Sequence, residues 1–342
     1  MEQGEIHGVS GGSAMKRGHP FLTFVFIILI AWSSNADPPA EEMLKAIVKV
    51  KSIVPKEAFT AATLGTEREG HGVLIDTAGH ILTIGYLILE AETIEVTGPE
   101  GKTFDARFVG YDQATGLGLL RIDKPLGVSP MKLGESAKVK EGDPLLVAGY
   151  GGTDAAIAAR VISRNEFAGY WEYLLDDPIL TAPAYLNFGG AALIDPSGQL
   201  VGIGSLFTQA VIPGFGSIPC NLFVPTDLLK PILDDLKTRG RPVKPSRPWL
   251  GINSEQAHGH VFITQVTPGG PAEKGGLKKD DLILAVDGKP VSGLADLYRR
   301  IWELGTAGVD IPLTILRGAE IQSLKVRSGD RYQFIMIKVR RI

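Results

Sequence analysis

At 342 residues and 44% hydrophobic content, the chain is too long for one ordinary domain and too apolar to be disordered, so two folded domains plus extra segments are expected. Its 35 Lys and Arg against 38 Asp and Glu leave a formal net charge of −3, which gives no support for a nucleic-acid partner. A single cysteine, Cys220, excludes an internal disulfide framework, and its apolar setting in SIPCNLFVP reads as a buried small residue.

Near the N-terminus, Lys16 and Arg17 follow Met15 and precede an uncharged, mostly apolar run from Phe21 to Trp32, then Ser33-Ser34-Asn35-Ala36 and polar residues. That order is the signature of a secretory signal peptide over residues 1–36, with translation beginning at Met1 or at Met15. The apolar run is shorter than the ~20 residues a spanning helix needs, so export with cleavage is expected, an uncleaved signal leaving a membrane anchor.

Met43, Leu44, Ile47 and Val50 recur at helical spacing and predict a short helix over Glu41 to Lys51. From about residue 68 to 228, short β-rich runs broken by Gly, Pro and Asp predict an all-β barrel or sandwich. Residues 226–240 read as a second helix, capped by Thr226 and ended by Gly240, with Leu228, Leu229, Ile232 and Leu236 as its apolar stripe. The three prolines of RPVKPSRP make 241–248 a linker. Beyond it lies a compact β/α module: a strand HVFITQV, a Gly-rich loop, and a helix from Leu294 with Leu297, Ile301 and Leu304 on one face and Ser292 as N-cap. Strands IPLTILRG and AEIQSLKV follow.

The loop VTPGGPAEKGGLKKDDLILAVDGKPV resembles the bacterial PDZ pattern, in which Pro268-Gly269 bends the chain and Asp287-Gly288 makes a tight hairpin. The resemblance implies a module that binds an extended peptide by strand addition, the backbone N–H groups of one loop receiving a terminal carboxylate. Trp249-Leu250-Gly251-Ile252 matches that loop. The strand carrying His260 and Phe262 and the helix carrying Leu294 and Leu297 are implied as groove walls.

Upstream, GHGVLIDTAGHILTIGYLI, GYDQATGLGLLRID, KLGESAKVKEGDPLLVAGYG and TAPAYLNFGGAALIDPSGQLVGI are similar, in order, to four conserved-motif stretches of the HtrA/DegP family of exported serine proteases. The resemblance covers residues 45–320. It implies a mainly β fold, a trypsin-like double β-barrel over 37–240 and one PDZ domain over 249–330, with 331–342 as a tail. Laid on the family's motifs, the triad histidine, aspartate and serine positions carry Tyr86, Gly116 and Phe188, and the oxyanion-hole donors are the N–H groups of Phe188 and Leu186. A phenol, a hydrogen and a phenyl ring supply neither nucleophile nor base at neutral pH. Leu186 is also expected to strain a turn that the family builds with glycine.

The resemblance, with these substitutions, implies a non-catalytic, exported chaperone, adaptor or regulatory protein of the periplasm. It would capture peptide tails or unfolded segments, without a cofactor, as a trimer like its relatives or beside an active protease paralogue. The alternative is an active endopeptidase of protein quality control using displaced residues, for which His71, His80, Ser197 and Ser205 are the candidates. His258 and His260 lack a carboxylate or cysteine partner, so no metal site is expected. Asp112 reads as a turn residue. The last four residues, Val339-Arg340-Arg341-Ile342, end in an apolar residue with a free carboxylate and could occupy the groove of their own PDZ module.

Overall fold

The computed structural model describes residues 38–335, apart from 213 and 215; the predicted signal segment and the last four residues lie outside these. Chain order begins with α1 (Pro38–Leu44), β1 (Ile47–Ile53), α2 (Ala61–Leu64), β2 (Glu67–Leu74), β3 (His80–Ile84), β4 (Thr93–Thr97), β5 (Thr103–Tyr111) and β6 (Leu117–Ile122). The six strands close into a barrel in the order β1-β2-β3-β6-β5-β4. Closure pairs every strand on both sides and leaves no open edge.

The predicted helix over Glu41 to Lys51 is corrected. It stops at Leu44, and Ile47, Val48 and Val50 enter β1, buried, with Val50 opposite Gly70 of β2 and Val96 of β4. β-Branched residues in this run pack better on a pleated sheet than in a helix, and two neighbouring strands decide between the periods.

A second barrel follows, from β7 (Pro144–Ala148), β8 (Ala156–Ser163), β11 (Ile179–Ala182), β12 (Ala192–Ile194), β13 (Leu200–Ile212) and β14 (Gly216–Pro225). Between β8 and β11 projects a small hairpin, β9 (Phe167–Gly169) and β10 (Tyr173–Leu175), paired only with itself. The helix expected over 226–240 is also shorter: a 3-10 turn at Thr226–Leu228 precedes α3 (Leu233–Arg239). Pro231 removes a backbone donor where the two would join. Thr226 does not cap, since its hydroxyl donates to the Leu200 carbonyl at 3.1 Å, whereas Gly240 does end the helix in the left-handed region.

The last unit is one sheet in the order β15-β16-β17-β19-β20, from β15 (Ile252–Ala257), β16 (His260–Val266), β17 (Leu282–Val286), β19 (Asp310–Arg317) and β20 (Glu320–Arg327), with β18 (Lys289–Pro290) pairing β17. Helices α4 (Pro271–Lys274) and α5 (Leu294–Glu303) complete it. Asp287 and Gly288 both take positive φ, as a two-residue hairpin turn requires. The N-cap of α5 is Gly293 rather than Ser292, whose N–H donates to Asp296 at 2.9 Å. Leu297, Tyr298 and Ile301 of α5 lie in one core with Ile252, Ile263, Ile283 and Ile315, and Leu174 of the β9–β10 hairpin joins the same core. The tail then turns back: Gly329 pairs with Trp249, Phe334 packs on the Trp249 ring at 4.5 Å, and Ile335 lies against Leu89 and Tyr111 of the first barrel. The architecture is mainly β, a double barrel followed by a PDZ-type module. Among the described residues no helix is long and apolar enough to cross a membrane.

Candidate functional site

Two places bear on function: the loop 186–190 and the edge of β15. At the loop, the three residues expected at triad positions come together. The Gly85 N–H donates to the Gly116 carbonyl at 2.7 Å, which sets Tyr86 beside Gly116. The Tyr86 hydroxyl donates to the Ser205 carbonyl at 3.0 Å, and a side chain on Gly189 would meet that hydroxyl. Burial pushes the Tyr86 phenol well above its usual range. The half-buried Phe188 ring leans on exposed Phe207, with centroids 6.4 Å apart.

The loop is clamped from both sides. His71 N–H donates to the Gly189 carbonyl and Gly190 N–H to the Gly204 carbonyl, each at 2.8 Å. Gly190 has φ +75, and a Cβ there would sit 1.9 Å from the His71 carbonyl oxygen, so only glycine fits. Leu186 is 79% exposed and is not among the residues with positive φ, so the strain expected there is absent.

The displaced candidates are dispersed. His71 Nδ1 accepts the Tyr150 N–H at 3.1 Å and the ring faces the Asn187 carbonyl; burial lowers its pKa, keeping it neutral at pH 7. His80 binds Asp76 at 2.8 Å, which also holds Lys237 of α3 at 2.9 Å, making a strut between barrel and helix. Ser197 donates to Asp195, and Asp112 caps its own turn by accepting the Thr115 N–H at 3.0 Å. Ser205 is buried, sits where the β13–β14 register shifts, and its hydroxyl makes no hydrogen bond among the described residues. No serine hydroxyl there bonds either imidazole. His258 and His260 lie at the β15–β16 turn, and among the described residues no cluster of ligand side chains could hold a metal.

At the second place, the N–H groups of Leu250, Gly251 and Ile252 converge on one carboxylate, that of Glu172, at 2.9, 2.7 and 3.0 Å. Gly251, at φ +80, turns the backbone so that successive amides face one point. Burial pushes the Glu172 carboxyl up, and the three donors oppose that by favouring its ionised form. Trp249 does not take part: its N–H donates to the Gly329 carbonyl and its ring is buried under the tail.

The groove beside this nest is walled by β15, the edge strand, and by α5, with the Leu294 N–H donating to Gln256 across it. This corrects the expected wall: β16 lies inside the sheet between β15 and β17, its Val261 and Ile263 face the core, and His260 and Phe262 point to the opposite face. Leu297 is fully buried in the core below the groove and Leu294 packs at its edge.

Glu172 is the residue that sequence reasoning missed. Its only local mark is an acidic side chain inside the aromatic run GYWEYLL.

Residues 70–203 match a trypsin-like peptidase domain and residues 248–327 a PDZ domain. The chain is similar to Protease Do-like 1, chloroplastic, of Arabidopsis thaliana, 31% identical over 312 residues, covering 84% of this chain and 70% of that protein. It is 29% identical to the periplasmic serine endoprotease DegP of Salmonella typhimurium, covering 72% of this chain and 54% of the relative. It is 27% identical to the periplasmic pH-dependent serine endoprotease DegQ of Escherichia coli, covering 75% and 58%. The chain thus spans little more than half the length of these bacterial relatives. A serine endoprotease structure from Yersinia pestis shares the fold, with a TM-score of 0.52 at 23% identity over 86% of this chain and 99% of the other.

These relatives overturn one expectation. From Tyr86, Gly116 and Phe188 the chain reads as no enzyme, whereas the proteins it matches are named proteases, the bacterial ones serine endoproteases, which points to a protease.

Proposed function

We propose, for a chain that belongs to the HtrA (Do-like) family of trypsin-like proteases with a PDZ domain, an endopeptidase of protein quality control that takes polypeptides by their C-termini. The observation that carries the capture half is the convergence of the Leu250, Gly251 and Ile252 N–H groups on a single carboxylate at 2.7 to 3.0 Å. Backbone donors aimed at one point beside an edge strand are what a terminal carboxylate and its extended chain require. The bacterial relatives are named periplasmic, and we place this chain there too.

The hydrolytic half rests on the relatives' names and needs a hydroxyl and a base. The Tyr86 proton is committed to the Ser205 carbonyl, and Gly116 and Phe188 carry no titrating group. Among the candidate groups of the right chemistry, Ser205 and His71 sit on the two strands that clamp the 186–190 loop. The test is turnover of fluorescein-casein by the purified chain, alongside Ser205→Ala and His71→Ala. The proposal expects release above buffer that either substitution abolishes. Release no faster than buffer, or unchanged in both variants, contradicts it. Trimeric assembly is read on the same preparation by sedimentation velocity.

A further inference from the structure

The nest is not empty. Its occupant is part of the same chain, the turn Tyr170-Trp171-Glu172 between β9 and β10. The segment lies between β15 and α5 as a peptide ligand would: the Ser254 N–H of β15 donates to the Tyr170 carbonyl at 2.8 Å, and two residues further on the Glu172 carboxylate takes the three amides. From the other wall, the Tyr298 hydroxyl of α5 donates to the Gly169 carbonyl at 2.8 Å and accepts the Glu172 N–H at 3.3 Å. Leu174, 6% exposed, supplies an isobutyl group to the module's apolar core. Arg299 of α5 bonds Glu166 and Asp176, one on each flank of the hairpin, both at 2.6 Å.

The two halves of a ligand's terminus, an anionic carboxylate and an apolar side chain, are therefore both supplied internally, by Glu172 and Leu174. Glu172 holds this pose at φ +57, an unfavourable backbone angle for a residue with a Cβ.

We infer that the β9–β10 hairpin is a built-in competitor for the peptide groove, its Glu172 carboxylate standing where a ligand's terminal carboxylate would bind. This rests on the reading of the groove as a peptide-capture site. A ligand that shares the occupant's contacts binds only by displacing it, so its apparent affinity is reduced by the fraction of time the hairpin is docked.

The experiment uses the full chain and a fluorescein-labelled ten-residue peptide ending Tyr-Trp-Leu with a free carboxylate, followed by anisotropy, with the C-terminal amide of the same peptide as control. Glu172→Gln keeps the volume and removes the charge that strengthens the three hydrogen bonds. We expect it to bind the free acid at least about tenfold more tightly than the wild type does, and the amide far more weakly than the acid. Leu174→Ala, which empties the apolar half, raises acid affinity in the same direction and serves if Glu172→Gln does not fold. Equal acid affinity in wild type and both variants overturns the competitor while leaving peptide capture intact. No binding by any of the three, each melting cooperatively, overturns the capture reading and this inference with it.

Discussion

Glu172 and Tyr173 are neighbours in the chain and reach in opposite directions, the carboxylate of the first into the PDZ nest and the hydroxyl of the second onto the Thr115 carbonyl at 2.7 Å, beside Gly116. One short hairpin thus touches both the groove of the PDZ module and the first barrel. Motion that frees Glu172 pulls on a residue whose ring is buried at the first barrel.

Tyr173→Phe removes that bond and leaves the Thr115 carbonyl without the donor. The expected cost is about 1 to 2 kcal/mol of stability in urea unfolding, with far-UV dichroism unchanged. A loss below a few tenths of a kcal/mol would show that the hydroxyl anchors nothing.

Arg68 is 4% exposed and donates to the carbonyls of Gly65, Tyr86 and Leu89 and to the Thr60 hydroxyl. It ties the turn carrying Tyr86 to β2. Arg68→Met keeps the stem but leaves these acceptors without their donor, so stability should fall by on the order of 3 kcal/mol. A variant as stable as the wild type would contradict this.

Partial burial pushes the Asp76 carboxyl up, but Lys237 and the His80 backbone and ring outweigh it and hold the group at about 2. A carboxyl lowered on folding adds stability above its unfolded pKa, near 3.9, and loses it as pH falls through the folded value. The stability difference between wild type and Asp76→Asn should therefore shrink as the pH falls from about 4 to 2. A difference independent of pH across that window would sink the strut.

Cys220 is fully buried on β14, and burial pushes its thiol up to about 11. At pH 8 the thiol should react with an aromatic disulfide reagent only after denaturant unfolds the chain. Fast labelling of the native protein would mean that the second barrel opens there.

Much of the fold was legible because its signals are local. Period-two runs give the strands and Asp287-Gly288 gives the hairpin, while the family resemblance points to the loop whose Leu250, Gly251 and Ile252 amides form the nest. Where two periods overlap, as at Ile47 and Val50, the partner strand decides, and that information lies outside the segment. The strand wall of the groove and its occupant were illegible for the same reason. Glu172 meets its donors at residues 250–252, across some eighty residues of chain, and Tyr298 reaches Gly169 from further still. Composition does not mark an acidic residue as a ligand for a distant loop; only the docked geometry does.

The most direct test is amide hydrogen exchange of the wild-type chain, free and saturated with the free-acid peptide. The account predicts that the amides of 250–254 stay protected, changing partner from Glu172 and Tyr170 to the peptide, while those of 169–175 exchange faster once the hairpin is expelled. Saturation with unchanged exchange at 169–175 would contradict it, since the peptide would then be bound elsewhere.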